Sequence, residues 1–271
     1  MDPYAFCGCR ECPFKNTLDP RYFFTTEQHE EAVSRIALAI EDHRGMALLQ
    51  GEAGTGKSLV SQIVLSQLDP ARYGVALIVE PDRRMTGTTL LAMLVAELGL
   101  EPQRYMLNLK RRLHEYMLAQ WRRQRRTVLL IDEAHLCSSS ALETVRVLLN
   151  LETPQEKLAT IVLFAQPEIR GKLNRMPQLD QRIEFRLVLA ALTREQCHAY
   201  VRHRMKVAGA RRAVFAPQAL DLLYRYTNIP RSINIVCDHA LLVAAAAGVT
   251  RVTAALMDRA IIESRGGEPW A

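Results

Sequence analysis

No apolar run in this 271-residue chain reaches the roughly 18–20 residues that a membrane-spanning helix needs. The longest, Ala240–Val249, is bounded by His239 and Thr250 and reads as a buried core helix. The opening MDPYAFCGCRECPF lacks a basic stretch followed by an apolar one, so no secretory leader is expected. The expectation is a cytoplasmic protein without membrane insertion. Neither sign of charge dominates: 35 Lys and Arg against 29 Asp and Glu leave a net +6. With 49% hydrophobic residues, that balance excludes a disordered chain. Gly (13) and Pro (12) are too sparse for a collagen-like or low-complexity sequence. Zinc-finger and RNP spacings are missing, as is an obvious recognition helix, so nothing signals sequence-specific nucleic-acid readout.

Six cysteines are too few for a disulfide scaffold in a chain of this length. Cys137, Cys197 and Cys237 lie in apolar surroundings and read as buried free thiols. Cys7, Cys9 and Cys12 cluster as C-G-C-R-E-C. Three thiolates fall one ligand short of a structural zinc or iron–sulfur site, and no second pair follows to complete one. A metal site, a redox role and a purely structural role remain open for them.

What is present alternates. Helical spacing over Glu27–Arg44 leads to a short apolar run at Met46–Gln50. Further strands are expected at Val75–Val79, Thr127–Ile131 and Thr160–Ala165. Helices are expected between them at Leu59–Leu68, Thr88–Leu98, Leu107–Gln120 and Ser140–Leu149. In the third of these, Leu109, Leu113, Tyr116 and Met117 share one face. Strands separated by helices imply a parallel sheet with crossover helices, an α/β fold. Near residue 190 the pattern becomes all-helical, opening on the capping-box sequence Thr193-Arg194-Glu195-Gln196. Helices are expected at 194–207, 217–226, 231–246 and 253–264. The organisation read here is an N-terminal segment and first helix (1–45), an α/β domain (46–190) and a small helical lid domain (191–271).

The first apolar strand runs into Gly51-Glu52-Ala53-Gly54-Thr55-Gly56-Lys57-Ser58, a complete GxxxxGK[ST] phosphate-binding loop, or Walker A motif, followed by Leu59 and a helix. Glycines let the backbone turn so that successive N–H groups face phosphate oxygens. The helix that follows adds its positive end. Residues 51–59 are therefore the nucleotide-binding candidates, with Lys57 reaching the β- and γ-phosphates and the Ser58 hydroxyl holding Mg²⁺. A second motif, Val128-Leu129-Leu130-Ile131-Asp132-Glu133, ends an apolar strand in two acids, the Walker B pattern. Desolvated carboxylates need a partner. Asp132 fits a Mg²⁺ ligand acting through its water shell, and Glu133 fits the group that polarises the attacking water. His135 reads as a local structural residue.

With these motifs the sequence resembles the AAA+ ATPases of the ExeA, or general-secretion-pathway A, type over nearly its whole length. Glu11-Cys12-Pro13-Phe14 and Asp19-Pro20-Arg21-Tyr22 are similar to the family's N-P-F…D-P-R-F/Y entry. Phe164-Ala165-Gln166-Pro167-Glu168, Leu179-Asp180-Gln181-Arg182-Ile183 and Ile229-Pro230-Arg231-Ser232-Ile233-Asn234 resemble its G-Q-P-E, L-x-Q-R-I and G-I-P-R-x-I-N segments. The resemblance implies a P-loop AAA+ sheet followed by a helical lid. It implies sensor 1 at Gln166 and sensor 2 at Arg231, the latter reaching the nucleotide from the lid. It also implies an arginine finger at Arg182 acting on a neighbouring subunit, with Arg175 and Arg186 as rivals. A guanidinium suits such work because it is permanently charged and forks onto phosphate. Three positions depart from the family pattern: Glu80 where a polar amide is common, Asn228 for Gly, and Cys12 for Asn. A carboxylate at 80 near Glu133 would repel it or share its proton. The membrane span and wall-binding module of the secretion members do not follow here, so a freestanding protein is expected.

A freestanding AAA+ protein of this size also resembles the MuB and TniB transposition helpers, which polymerise on DNA with ATP. Between Arg104 and Arg126 lie eight Lys and Arg against one acid, Glu115. Arg202, Arg204, Lys206, Arg211 and Arg212 form a second basic group. Such stretches bind phosphate backbones or are simply solvated. The first expectation is an oligomeric AAA+ ATPase (hexamer or helical filament) that uses ATP and Mg²⁺ to switch on double-stranded DNA beside a transposase. The second is a cytoplasmic ATPase serving secretion or pilus components. The third is an ATP-sensing scaffold with little turnover.

Overall fold

The computed structural model describes residues 2–17, 19–79, 81, 85–101 and 103–266. Glu80, singled out above, lies outside the described residues. In chain order the elements are α1 (Pro3–Phe6), α2 (Glu27–Glu41), β1 (Met46–Gly51), α3 (Lys57–Gln67), β2 (Tyr73–Ile78) and α4 (Gly87–Glu97). They continue as α5 (Met106–Arg122), β3 (Arg126–Ile131), α6 (Ser139–Leu148), β4 (Ala159–Ala165), α7 (Ile169–Leu173), α8 (Pro177–Asp180) and β5 (Phe185–Leu189). The chain ends in α9 (Arg194–Val207), α10 (Pro217–Tyr226), α11 (Pro230–Ala246) and α12 (Ala254–Ser264). They form two compact units. One comprises Glu27–Glu52 and Gly56–Leu189, and the other Met1–Thr26, Ala53–Thr55 and Ala190–Ala271. Of the N-terminal stretch, residues up to Thr26 thus belong with the helices, and α2 belongs with the sheet.

The α/β unit is built on a five-stranded sheet of order β2-β3-β4-β1-β5, parallel throughout. The three inner strands, β3, β4 and β1, are largely apolar because helices cover both sheet faces. On one face Leu90, Leu94, Leu109, Leu113, Leu142 and Val145 from α4, α5 and α6 pack against Leu48, Leu129 and Ile161. On the other, Ile36 and Ile40 of α2 and Val60 and Val64 of α3 pack against Leu49, Val128, Leu130 and Phe164. β5 was not anticipated. Phe-Arg-Leu-Val-Leu buries Leu187 and Leu189 while Arg186 and Val188 face outward. As an edge strand it pairs only with β1, so its signal is a short alternation carrying a charge.

The helical unit packs α9 to α12 around Cys197, Met205, Leu220, Ile233, Leu241 and Met257. The N-terminal segment closes this core with Phe14, whose ring meets Phe215 edge-on at 5.9 Å between centroids. Thr193 and Gln196 form the expected capping box at the start of α9. Arg204 is spent internally. It donates to Pro13 O at 2.6 Å, Lys15 O at 2.8 Å and the Tyr200 hydroxyl at 2.9 Å, and lies 4.8 Å from the Tyr22 ring centre.

All six cysteines are free. Cys137, Cys197 and Cys237 are fully buried, and their thiol pKa values are raised by burial, that of Cys137 to about 11. Cys7 and Cys9 are also buried, and burial lifts Cys9 to about 11. Cys12 donates to Asp238 at 3.3 Å, beside the Tyr4 hydroxyl at 3.0 Å from the same oxygen. No group of three metal-ligating side chains occurs among the described residues. Among them, too, no helix is long and apolar enough to cross a membrane.

Candidate nucleotide site

β1 ends at Gly51 and α3 begins at Lys57, so the phosphate-binding loop is the connection between a central strand and a helix. Two of its glycines are in the left-handed region, Gly54 at φ +84° and Gly56 at +106°. Both also sit where a side chain has no room. A Cβ on Gly56 would lie 2.9 Å from His29 Nε2, and one on Gly54 would lie 2.5 Å from Arg231 Cβ. Gly56 supplies no side-chain cap to α3, so the start of the helix is turned by backbone alone, with Leu59 and Val60 N–H both donating to Gly56 O at 3.0 Å. The loop has the conformation of a phosphate cradle.

Lys57 is 3% exposed, and its ammonium donates to Gly51 O at 2.8 Å and to Glu52 O at 3.0 Å. A buried ammonium needs such partners. Asp132 follows β3, which lies one strand away from β1 across β4. It is 4% exposed; its Oδ1 accepts from Glu133 N–H at 2.8 Å and its carboxylate accepts from the Ser58 hydroxyl. Burial raises its pKa, and the Ser58 bond works against that rise. Ser58 and Asp132, the two expected Mg²⁺ ligands, are therefore in contact. An oxygen-rich pair of a carboxylate and a hydroxyl suits a hard cation that keeps several waters.

Glu133 has φ +47° and ψ +35°, an unusual backbone for a non-glycine residue and one seen at functional sites. Its Oε2 accepts from the Gln166 amide at 3.2 Å. Gln166 follows β4, so P-loop, acids and amide emerge from the C-terminal ends of three adjacent strands, where open α/β sheets place ligands. His135 Nδ1 lies 3.2 Å from the same glutamate oxygen and accepts from Gln166 N–H at 3.4 Å. Burial lowers the His135 pKa, which favours its neutral imidazole. With the imidazole neutral, the His135–Glu133 contact is a polar contact rather than an ion pair. Lys172 donates to His135 O and Cys137 O at 2.5 Å each, fixing the turn that carries the histidine. Sequence reading missed His135 as a neighbour of Glu133; its position two residues past that acid was the available signal.

The arginines separate. Arg231 opens α11, in the helical unit, beside Gly54. Arg182 follows α8, is half-buried, and donates to Leu149 O at 3.5 Å. Its rival Arg186 is tied to Asp180 at 2.9 Å. Arg175 is exposed in the turn between α7 and α8.

A family model described as an AAA domain matches residues 40–173. General secretion pathway protein A of Aeromonas hydrophila is 38% identical over 252 residues, covering 91% of this chain and 46% of that protein. The chain thus spans about half the length of the curated relative it matches. Among solved structures, the ORC2 protein of Aeropyrum pernix aligns with a TM-score of 0.68 at 16% identity, covering 97% of this chain and 73% of that one. Drosophila ORC bound to DNA aligns at 0.71 and 19% identity, covering 97% of this chain and 66% of that one. At such identities the structures speak for the fold alone. Motif, relative and fold agree, and the chain belongs to the AAA+ P-loop proteins, in their ExeA-type branch.

Proposed function

We propose that this chain is an ATPase that acts at the interfaces of an oligomer, a hexamer or a helical filament. Its ATP cycle would switch that oligomer on double-stranded DNA, as a helper in transposition or a related DNA transaction of the MuB and TniB kind. The observation that carries the reading is the convergence of the Gly51–Leu59 loop, Asp132, Glu133 and Gln166 on three neighbouring strand ends. The loop N–H groups and Lys57 would hold the phosphates, and Ser58 and Asp132 would hold Mg²⁺. The metal would neutralise charge on the β- and γ-phosphate oxygens. Glu133 would take the proton of the attacking water, and the Gln166 amide would orient Glu133 or that water. Arg182 of a neighbouring subunit and Arg231 would add permanent positive charge at the γ-phosphate. The proposed location is the cytoplasm.

The DNA part of the reading draws on basic residues and on the fold shared with Drosophila ORC, solved on DNA. The identity with general secretion pathway protein A favours a second reading, an ATPase of a secretion or pilus assembly system. The Gln166 bond to Glu133 favours a third, a scaffold that binds ATP with little turnover. One experiment separates them: steady-state ATP turnover and ATP affinity of the full chain, with and without duplex DNA. DNA-stimulated turnover is expected. Turnover indifferent to DNA selects the secretion reading. Tight ATP binding with negligible turnover in both conditions selects the scaffold.

A further inference from the structure

The second basic group read from the sequence divides when folded. Arg204 turns inward and is consumed by two carbonyls and two rings. The others stay exposed and are joined by two arginines from distant parts of the chain. Six cations result: Arg10 from the turn after α1, Arg202 and Lys206 one turn apart on α9, Arg211 and Arg212 between α9 and α10, and Arg251 between α11 and α12. They line two cavities of the helical unit, of about 480 and 640 Å³. The cavities share Arg211, Arg212 and Arg251, so they form one trough rather than two sockets. No Asp or Glu is among the described residues lining either one. Among the described residues, none of the six cations makes an ion pair. Elsewhere on this surface arginines do find acids, as Arg194 does with Asp221 and Arg259 with Glu263.

Cations gathered from four separate segments without one carboxylate repel each other unless something external neutralises them. Five of the six are arginines, whose planar fork matches phosphate oxygens. We propose that this trough is the duplex-DNA contact of the protein, holding one backbone by its phosphodiesters without reading bases. Three cations shared by the two cavities, with three more that line only one of them, offer several contacts at once, which suits the repeated phosphates of a backbone better than a single carboxylate. The inference rests on the DNA reading above and gives it a location. It also moves that location away from the 104–126 stretch, where Arg125 and Arg126 are spent on the carbonyls of Pro70, Tyr73, Ile40 and Glu41, and Arg111 pairs with Glu115.

The test is fluorescence polarisation of a labelled duplex of about 30 base pairs with the full chain, with ATP, ADP or no nucleotide, from about 50 to 200 mM salt. Six phosphate contacts predict a log–log salt slope of about −5 and roughly a thousandfold loss of affinity across that range. Arg211→Gln/Arg212→Gln should flatten the slope by about 2 and weaken binding at low salt, whereas Arg122→Gln/Arg123→Gln on α5 should change neither. Lysines at 211 and 212 should restore the slope, and unchanged thermal melting shows that the variants fold. Equal losses in the two glutamine pairs, or an unaltered slope in the 211/212 pair, overturns the proposed location while the DNA reading stands. A wild-type chain that binds no duplex in any nucleotide state removes both. Loss of poly-glutamate binding with duplex binding intact would make the trough a site for an acidic protein, and would also overturn the proposal.

Discussion

Gly56→Ala tests the phosphate cradle at its most constrained point. Two costs add. At φ +106° an L-residue carries left-handed backbone strain on the order of 1–3 kcal/mol. The new Cβ would also lie 2.9 Å from His29 Nε2, well inside van der Waals contact, and His29 is only 7% exposed, so its ring has little room to retreat. A packing conflict of this kind costs about 1–3 kcal/mol. The expected total of roughly 2–6 kcal/mol lowers the melting temperature by several degrees or more, at about 2–4 °C per kcal/mol for a chain of this size. The alternative to strain is a loop that relaxes out of shape, which re-aims its N–H groups and lowers affinity for a fluorescent ATP analogue at least tenfold. The assay is a double-mutant cycle of thermal melts and ATP titrations with Gly56→Ala, His29→Ala and the pair. Removing the imidazole should recover the steric part and leave the backbone strain, giving a coupling of about 1–3 kcal/mol. Wild-type melting and ATP affinity in Gly56→Ala would refute the assigned backbone. A zero coupling would refute the contact with His29.

Further outcomes follow from the same geometry. Lys57→Ala should abolish ATP binding in titrations, because it removes the one ammonium at the loop. Glu133→Gln should keep ATP affinity, lose turnover by at least about a hundredfold and hold an assembled state in sedimentation; normal turnover would end its assignment as water activator. Arg182→Ala should lose turnover, and mixing it with Lys57→Ala subunits should restore part of it. No recovery at any ratio rules out a finger acting between subunits. Cys9 is lifted from 9.0 to about 11 by burial, so the unfolded chain releases this proton first as pH rises. Its stabilising contribution is complete below pH 9 and is lost between about pH 9 and 11, so Cys9→Ala should flatten the fall in melting temperature over that window.

How much of this was legible in the sequence depends on whether a residue's role was local. The P-loop is a contiguous motif between a strand and a helix, and it folds as one. β1, β3 and β4 are each built on a run of apolar residues because both faces are covered, and that composition survives any change of neighbours. β5 escaped because its identity depends on lying beside β1; alone, Phe-Arg-Leu-Val-Leu is a short alternation following two brief helices. The role of charges was least legible. Arg202, Arg204 and Lys206 read as one basic stretch, yet the helix turns Arg204 into the core against Tyr22 and Tyr200 and leaves the others outside. Arg10 and Arg251 could not be added to that group from spacing alone, since only the fold brings them to it.

The two charged groups with the most direct work to do share a feature that composition could not show. Lys57 has its ammonium on two loop carbonyls, and Glu133 has its carboxylate under the Gln166 amide. Lys57, 3% exposed, cannot be left bare, because a desolvated charge without a partner is costly, whereas Glu133 is partly exposed and keeps access to water beside the amide. Under the proposed role, phosphate binding would exchange partners at Lys57 rather than create a contact from nothing, with a net gain set by the difference between a phosphate oxygen and two carbonyls. If Glu133 is the proposed water activator, the Gln166 amide would have to move off the carboxylate or share it with water. The amide sits at the end of β4, between the strands that carry the loop and the acids, so a displacement of Gln166 by phosphate oxygens would free Glu133 in the same step. Nucleotide occupancy would then control hydrolytic competence through one hydrogen bond. Gln166→Ala separates this coupling from simple positioning. A freed but misaligned Glu133 lowers turnover while leaving ATP affinity intact, whereas loss of affinity in that variant would show that Gln166 serves binding and is not a restraint on the acid.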